Sequence, residues 1–206
     1  MIAIINYGLG NLHSVYNAFK YLGVDAIITN NKEEILKADK VVLPGVGAFE
    51  DAIKTIHALG FDKVIKECVD LNKPLLGICL GMQLLFETSY EYGVHKGLGI
   101  LKGEVVPFIK EKINLKIPQM GWNDLIDIKD DSLVSNLKSN YVYFVHSYYV
   151  KTTSDIVSAY VSYGEKIAVA IEHKNIYATQ FHPEKSGDVG IEILKRFGEL
   201  WEYIQL

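Results

Sequence analysis

The chain has 206 residues, 21 basic against 25 acidic side chains and a formal net charge of −4, a length that suits one domain with a full core over residues 1–206. Hydrophobic residues make up 49% and charged residues 22%, which excludes long disorder, and no apolar stretch reaches the roughly 18 residues of a membrane span. A lone arginine, Arg196, argues against nucleic acid as a partner, while 2 cysteines and a start without a basic leader or cleavage site point to the cytoplasm.

The first half alternates short apolar runs with helical periodicity. Residues 2–5 form an unbroken apolar run, as in a strand covered on both faces. Residues 11–22 predict a helix with Leu12, Val15, Tyr16, Phe19 and Leu22 on one stripe and Gly23 as a left-handed cap. Residues 24–29 predict a second strand. A helix then starts near Asn31, with Glu34 as its capping-box partner. Residues 40–43 read as strand three and run into Pro44-Gly-Val-Gly47. Helices follow at 49–57 and 61–71, then a strand at 74–78 and a helix at 80–88. Four such β-α repeats imply a doubly wound, flavodoxin-like α/β fold with a mostly parallel sheet. In the second half, 141–150, 156–163, 166–172 and 175–181 read as strands joined by turns, the antiparallel additions. A final helix spans 186–204, with Ile191, Leu194, Phe197, Trp201 and Ile204 on one side.

Gly77-Ile-Cys79-Leu-Gly81 lies between a buried strand and a helix, the pattern of a nucleophile elbow with sulfur in place of oxygen. The turn is tight, so side chains two residues either side of the nucleophile would meet neighbouring backbone. The helix start favours a thiolate at Cys79, and the Leu80 N–H is placed to meet an oxyanion. Cys68 shares a helical stripe with Phe61, Val64 and Ile65 and reads as core.

A thiol nucleophile needs a base that later protonates the leaving amine. Among six histidines, His182 stands out because Phe181-His-Pro-Glu184 puts a carboxylate two residues on, on the same face of an extended chain. His146 is the second choice. His13, His57, His95 and His173 fall near helix ends or turns. Pro44-Gly-Val-Gly47 shares the carboxyl edge of the sheet with Cys79, and the N–H of Val46 or Gly47 is the second oxyanion donor. Tyr7-Gly-Leu-Gly-Asn11 lacks the third glycine and the later acid of a dinucleotide site. No Cys/His spacing suggests zinc, so neither cofactor nor metal is expected. Trp122 with Tyr141, Tyr143, Tyr148 and Tyr149 forms either an interface or core packing; pattern alone leaves both open.

Together, Gly77-Ile-Cys-Leu-Gly-Met-Gln83 and Phe181-His-Pro-Glu184 resemble the class I (triad) glutamine amidotransferases, over the whole chain and in the family's order. Tyr7-Gly-Leu-Gly-Asn11, Pro44-Gly-Val-Gly-Ala-Phe49, Pro118-Gln-Met-Gly-Trp-Asn123 and His182-Pro-Glu-Lys-Ser186 are most similar to the glutaminase subunits of imidazole glycerol phosphate synthases. The resemblance implies a Cys79-His182-Glu184 triad that releases ammonia from glutamine through a thioester. It implies that Gly47, Gln83, Glu91 and the backbone at Ser147 and Tyr148 hold the glutamine. It implies that the 44–47 loop turns a peptide so that the Val46 N–H faces the oxyanion. It also implies a (β/α)8-barrel cyclase partner that receives the ammonia for histidine biosynthesis and activates the glutaminase when its ligand binds. Trp122, Asn123, Tyr143 and Lys185 are the implied interface positions. The family usually begins Asp-Tyr-Gly, where this chain has Asn6-Tyr-Gly8. A sibling glutaminase serving an anthranilate or pyridoxal phosphate synthase is an alternative. So is a non-catalytic, chaperone-like doubly wound protein with a redox-sensitive cysteine.

Overall fold

The first strand, β1 (Ile2–Ile5), pairs in parallel with β2 (Ala26–Thr29) on one side and β3 (Lys40–Gly45) on the other. The computed structural model describes residues 1–109 and 115–200. β3 continues in parallel to β4 (Leu75–Cys79), and β4 to β13 (Ile176–Thr179). From β13 outward the pairing turns antiparallel, through β12 (Glu165–His173), β10 (Tyr148–Lys151) and β7 (Glu104–Pro107). Short strands β5 (Thr88–Ser89) and β6 (His95–Lys96) close that edge, and β11 (Val157–Tyr163) pairs alongside β12. The mixed sheet matches the expected fold class.

Helices cover both faces of the parallel part, which is why β1 is apolar at every position. Ile2 and Ile4 pack with Val15 and Phe19 of α1 (Leu12–Tyr21) and with Leu194 and Phe197 of α6 (Gly187–Glu199). Ala3 and Ile5 face the other way. They meet the layer of α2 (Lys32–Lys37), α3 (Phe49–Leu59), α4 (Phe61–Asp70) and α5 (Leu80–Leu84). Cys68 is fully buried in that layer, as its helical stripe predicts. Among the described residues no helix is long and apolar enough to cross a membrane.

Several expectations need correction. The helix expected over 80–88 ends at Leu84, because the carbonyls of Leu84, Leu85, Phe86 and Glu87 accept N–H groups from residues 97–101 instead of continuing the helical ladder. The strand expected over 141–150 breaks at Ser147. Its first part, β9 (Tyr141–His146), leaves the main sheet to form a ribbon with β8 (Gln119–Asp124), and its second part is β10. Glu34 does not close a capping box. Asn31 caps α2 through its own side chain, while the Glu34 carboxylate takes the Thr29 hydroxyl, whose oxygen in turn accepts the Asn31 N–H. The last helix spans Gly187–Glu199; Trp201 and Ile204, expected on its stripe, lie outside the described residues.

At the sheet edge away from the loops after β3 and β4, Glu172 accepts the Leu133 N–H at 2.7 Å. Burial pushes its carboxyl up to about 7, against the pull of that N–H and of Lys129. The folded chain therefore holds a proton that the unfolded chain releases earlier, and stability falls as pH rises from the ordinary carboxylate range through about 7. Glu172→Gln keeps an acceptor for Leu133. It is expected to remove this fall and to add about 2 kcal/mol at pH 8, discounted for partial exposure, as read by urea unfolding at pH 5 and 8.

Candidate active site

The parallel strands deliver the expected residues to one edge. Cys79 ends β4 in register with Gly45 of β3, and β13 runs beside it toward His182. Cys79 has φ +55° and ψ −112°, a conformation that a residue with a side chain adopts only under constraint. The constraint is close packing of backbone. A Cβ on Gly81 would sit 1.8 Å from the Leu43 carbonyl oxygen, and one on Gly77 would sit 3.0 Å from the backbone of Gly81 and Met82. Gly45 is equally confined, since a Cβ there would lie 2.8 Å from the Tyr7 hydroxyl. That hydroxyl donates to the Pro44 carbonyl at 2.9 Å, tying the end of β1 to the 44–47 loop. Burial and the nearby Cys79 sulfur push the Tyr7 hydroxyl upward. Asn6, at the position where the family usually has Asp, accepts the Gly8 N–H at 3.1 Å and so serves the local turn.

Beyond β13 the chain stays extended, held by Gln180 N–H to the Val169 carbonyl and His182 N–H to the Tyr143 carbonyl. The alternation turns Phe181 into the core and keeps Gln180 and His182 on one face. His182 Nδ1 donates to Glu184 Oε1 at 2.8 Å, and the two side chains are 2% and 1% exposed. Asn11 donates to the same carboxylate oxygen at 3.4 Å. Burial opposes charge on the His182 ring, but the Cys79 thiol and the Glu184 carboxylate outweigh it and push the imidazole up to about 9. Nε2 is buried and has no partner, as resting catalytic contacts often are before substrate tightens them.

A cavity of about 300 Å³ opens over this edge, lined by Val46, Gly47, Cys79, Leu80, Gln83, Glu91, Ser147, Tyr148 and His182 among others. Every expected catalytic, oxyanion and substrate position except Glu184 lines it; Glu184 stands behind His182. Glu91 accepts the Phe49 N–H at the start of α3 at 2.7 Å, and burial pushes its carboxyl up. Gln83 donates to the Tyr148 carbonyl at 3.0 Å. His146, the second choice as base, lines the cavity but is committed elsewhere. Nδ1 lies 2.8 Å from the Tyr148 carbonyl and Nε2 2.9 Å from the Gln119 amide. Burial pushes it down to about 4, so the ring is neutral and without a carboxylate to orient it. Among the described residues no group of three or more His, Cys, Asp or Glu side chains is placed to hold a metal ion.

The expected interface residues gather around the β8–β9 ribbon. Trp122 is 56% exposed and meets Tyr143, its cross-strand partner, edge-on at 6.1 Å. Met120 and Tyr141 are exposed beside them, and Lys185 is exposed just after Glu184. Asn123 is half-buried and spends its amide on the Ser162 carbonyl. The tyrosines divide between the two open readings: Tyr148 lines the cavity, whereas Tyr149 is buried and donates to Glu165 at 2.6 Å. Gln180 supports the site without having been singled out, while Tyr7 and Asn11, quoted within the Tyr7-Gly-Leu-Gly-Asn11 motif, were not expected as site residues. Spacing offered a signal only for Gln180, two residues before His182 on an extended segment.

Comparison with known proteins identifies the family and the fold. Residues 3–200 match the family described as glutamine amidotransferase class-I. The chain is 50% identical to imidazole glycerol phosphate synthase subunit HisH 1 of Campylobacter jejuni, over 97% of this chain and 100% of that protein. It is 48% identical to imidazole glycerol phosphate synthase subunit HisH of Bacillus cereus, over 100% of this chain and 99% of that one. The structure of PurLQS from Thermotoga maritima superposes with a TM-score of 0.71 at 18% identity, covering 98% of this chain and 98% of that one, which speaks for the fold.

Removing the negative charge behind His182 takes away one of the two influences that hold its proton. Glu184→Gln is expected to bring the His182 titration, near 9 in the parent, down toward or below the ordinary histidine range, followed by NMR of the imidazole ring.

Proposed function

The chain belongs to the class I glutamine amidotransferases, and from that premise we propose that it is the glutamine-hydrolysing subunit of an imidazole glycerol phosphate synthase, serving histidine biosynthesis. The observation that carries the mechanism is the gathering of a strained cysteine turn and a buried His182-Glu184 pair at one sheet edge, over a cavity sized for a small polar molecule.

An imidazole pushed up to about 9 is basic enough to take the thiol proton as the sulfur attacks. The Cys79 sulfur attacks the side-chain carbonyl carbon of glutamine. Negative charge then collects on the carbonyl oxygen, which the N–H groups of Leu80 and of Val46 or Gly47 receive. His182 gives its Nε2 proton to the departing nitrogen, the C–N bond breaks, and ammonia and a thioester remain. The now neutral ring takes a proton from water as the water oxygen attacks the thioester. Collapse of that adduct releases glutamate and restores the sulfur with its protonated partner. Glu184 keeps Nδ1 protonated and the ring aimed throughout, and Asn11 holds Glu184. Glu91 and Gln83 face the amino-acid end of the substrate, with Gly47 and the backbone at Ser147 and Tyr148 completing its cradle.

Ammonia released into water at neutral pH is mostly protonated and no longer a nucleophile. A synthase that uses it must receive it sheltered from solvent. The exposed Met120, Trp122 and Tyr141 on the ribbon beside the site, with Lys185, supply an amphipathic docking face for a (β/α)8 cyclase in a heterodimer. Ligand binding at that partner raises glutamine turnover. Both cysteines are free thiols, which supports a cytoplasmic setting.

Cys79→Ala is expected to abolish glutamine-dependent synthesis by the reconstituted pair while ammonium salts still sustain the cyclase reaction. Retained glutamine use by that variant overturns the mechanism.

A further inference from the structure

The side chain of Gln180 is fully buried and uses both ends of its amide inside the site. Its Oε1 accepts from Gln83 Nε2 at 2.9 Å, and its Nε2 points at the Cys79 sulfur, 3.8 Å away. The orientation of these amides follows from one fixed group. The Tyr148 carbonyl can only accept, so the end of Gln83 that meets it at 3.0 Å is the nitrogen. That nitrogen also meets Gln180, whose facing atom must then be oxygen. The N–H end of Gln180 is therefore the one turned to the sulfur. Its backbone is pinned by the N–H bond to the Val169 carbonyl at 2.8 Å, on the extended segment that also carries His182.

We infer that Gln180 is a positioning residue for the reaction. Its amide N–H steadies the Cys79 sulfur as negative charge forms on it, and its carbonyl fixes Gln83 against the substrate cavity, so nucleophile and substrate wall share one register. A donor to a charged sulfur contributes more than one to a neutral thiol. His182 supplies the proton exchange, and Gln180 supplies a donor that never transfers its proton.

The inference rests on Cys79 being the nucleophile, and its test reads the thiol directly in the full chain without the partner. Iodoacetamide alkylation is followed at pH 7 and pH 10, with the modified cysteine identified by peptide mass mapping. Cys68 is fully buried, and burial pushes it up to about 11, so it serves as the unreactive reference. Gln180→Met, which keeps length and removes both polar ends, is expected to slow Cys79 alkylation about tenfold at pH 7 and to leave it unchanged at pH 10. Gln83→Leu, which frees the Gln180 carbonyl without touching the sulfur, is expected to slow it about threefold at pH 7. A parent-like rate at pH 7 in folded Gln180→Met overturns the inference. Equal slowing at both pH values does so as well, because it marks a packing role. If Gln180→Met does not fold, an unchanged rate in Gln83→Leu overturns it. Glutamine use surviving in Cys79→Ala would instead refute the proposed function and leave these alkylation rates standing.

Discussion

The turn at Cys79 is set by close contact between backbones. The Leu43 carbonyl comes so near Gly81 that no Cβ fits, and the backbone after the cysteine stands 3.0 Å from where Gly77 would carry one. Parallel pairing of β3 with β4 sets that approach, and the layers of apolar side chains on both faces of the sheet hold it. A conformation costing of order 1–3 kcal/mol is thus maintained by the whole domain core, and its product is a sulfur presented at the mouth of a cavity. Tyr7 extends the same constraint to the neighbouring loop through its bond to the Pro44 carbonyl.

Two buried histidines face this cavity, and their opposite behaviour shows how environment divides roles. Both rings carry the desolvation penalty. His182 meets a thiol and a carboxylate, which together reverse the penalty and hold it near 9. His146 meets a backbone carbonyl and an amide, neither of which compensates, and it stays near 4. The first can carry a proton through the reaction. The second ties the ribbon of β8 and β9 to the Tyr148 carbonyl, which in turn holds Gln83. A continuous set of buried polar contacts thereby joins the exposed ribbon to the substrate wall.

The β-α half of the fold was legible because each strand is a short, largely apolar run followed by a helical pattern. The elbow was legible for a related reason: close backbone approach requires Gly77 and Gly81, and side-chain packing alone does not ask for glycines at that spacing. Residues 89–140 were not legible. Their strands are two to six residues long, and the two-residue β5 and β6 pair with each other while β5 also pairs with β7, contacts that no apolar run or periodicity announces. The segment 141–150 reads as one apolar run, yet Ser147 divides it between two sheets, a decision made by tertiary contacts. His182 and Glu184 could be found by alternation along an extended chain. Asn11, arriving from α1 across 173 positions, could not. Glu34 shows the opposite error, a correct local spacing overridden because Thr29 donates its hydroxyl to the Glu34 carboxylate and its oxygen accepts the Asn31 N–H.

The chemistry turns on the carbonyl carbon of glutamine becoming bonded to one particular sulfur. Rapid acid quench of the complete synthase during glutamine turnover, followed by mass spectrometry of its peptides, tests this most directly. A glutamyl adduct is expected on the peptide carrying Cys79, formed only with glutamine present. A quenched, turning-over enzyme with its adduct on Cys68, or with Cys79 unmodified at every quench time, would contradict it.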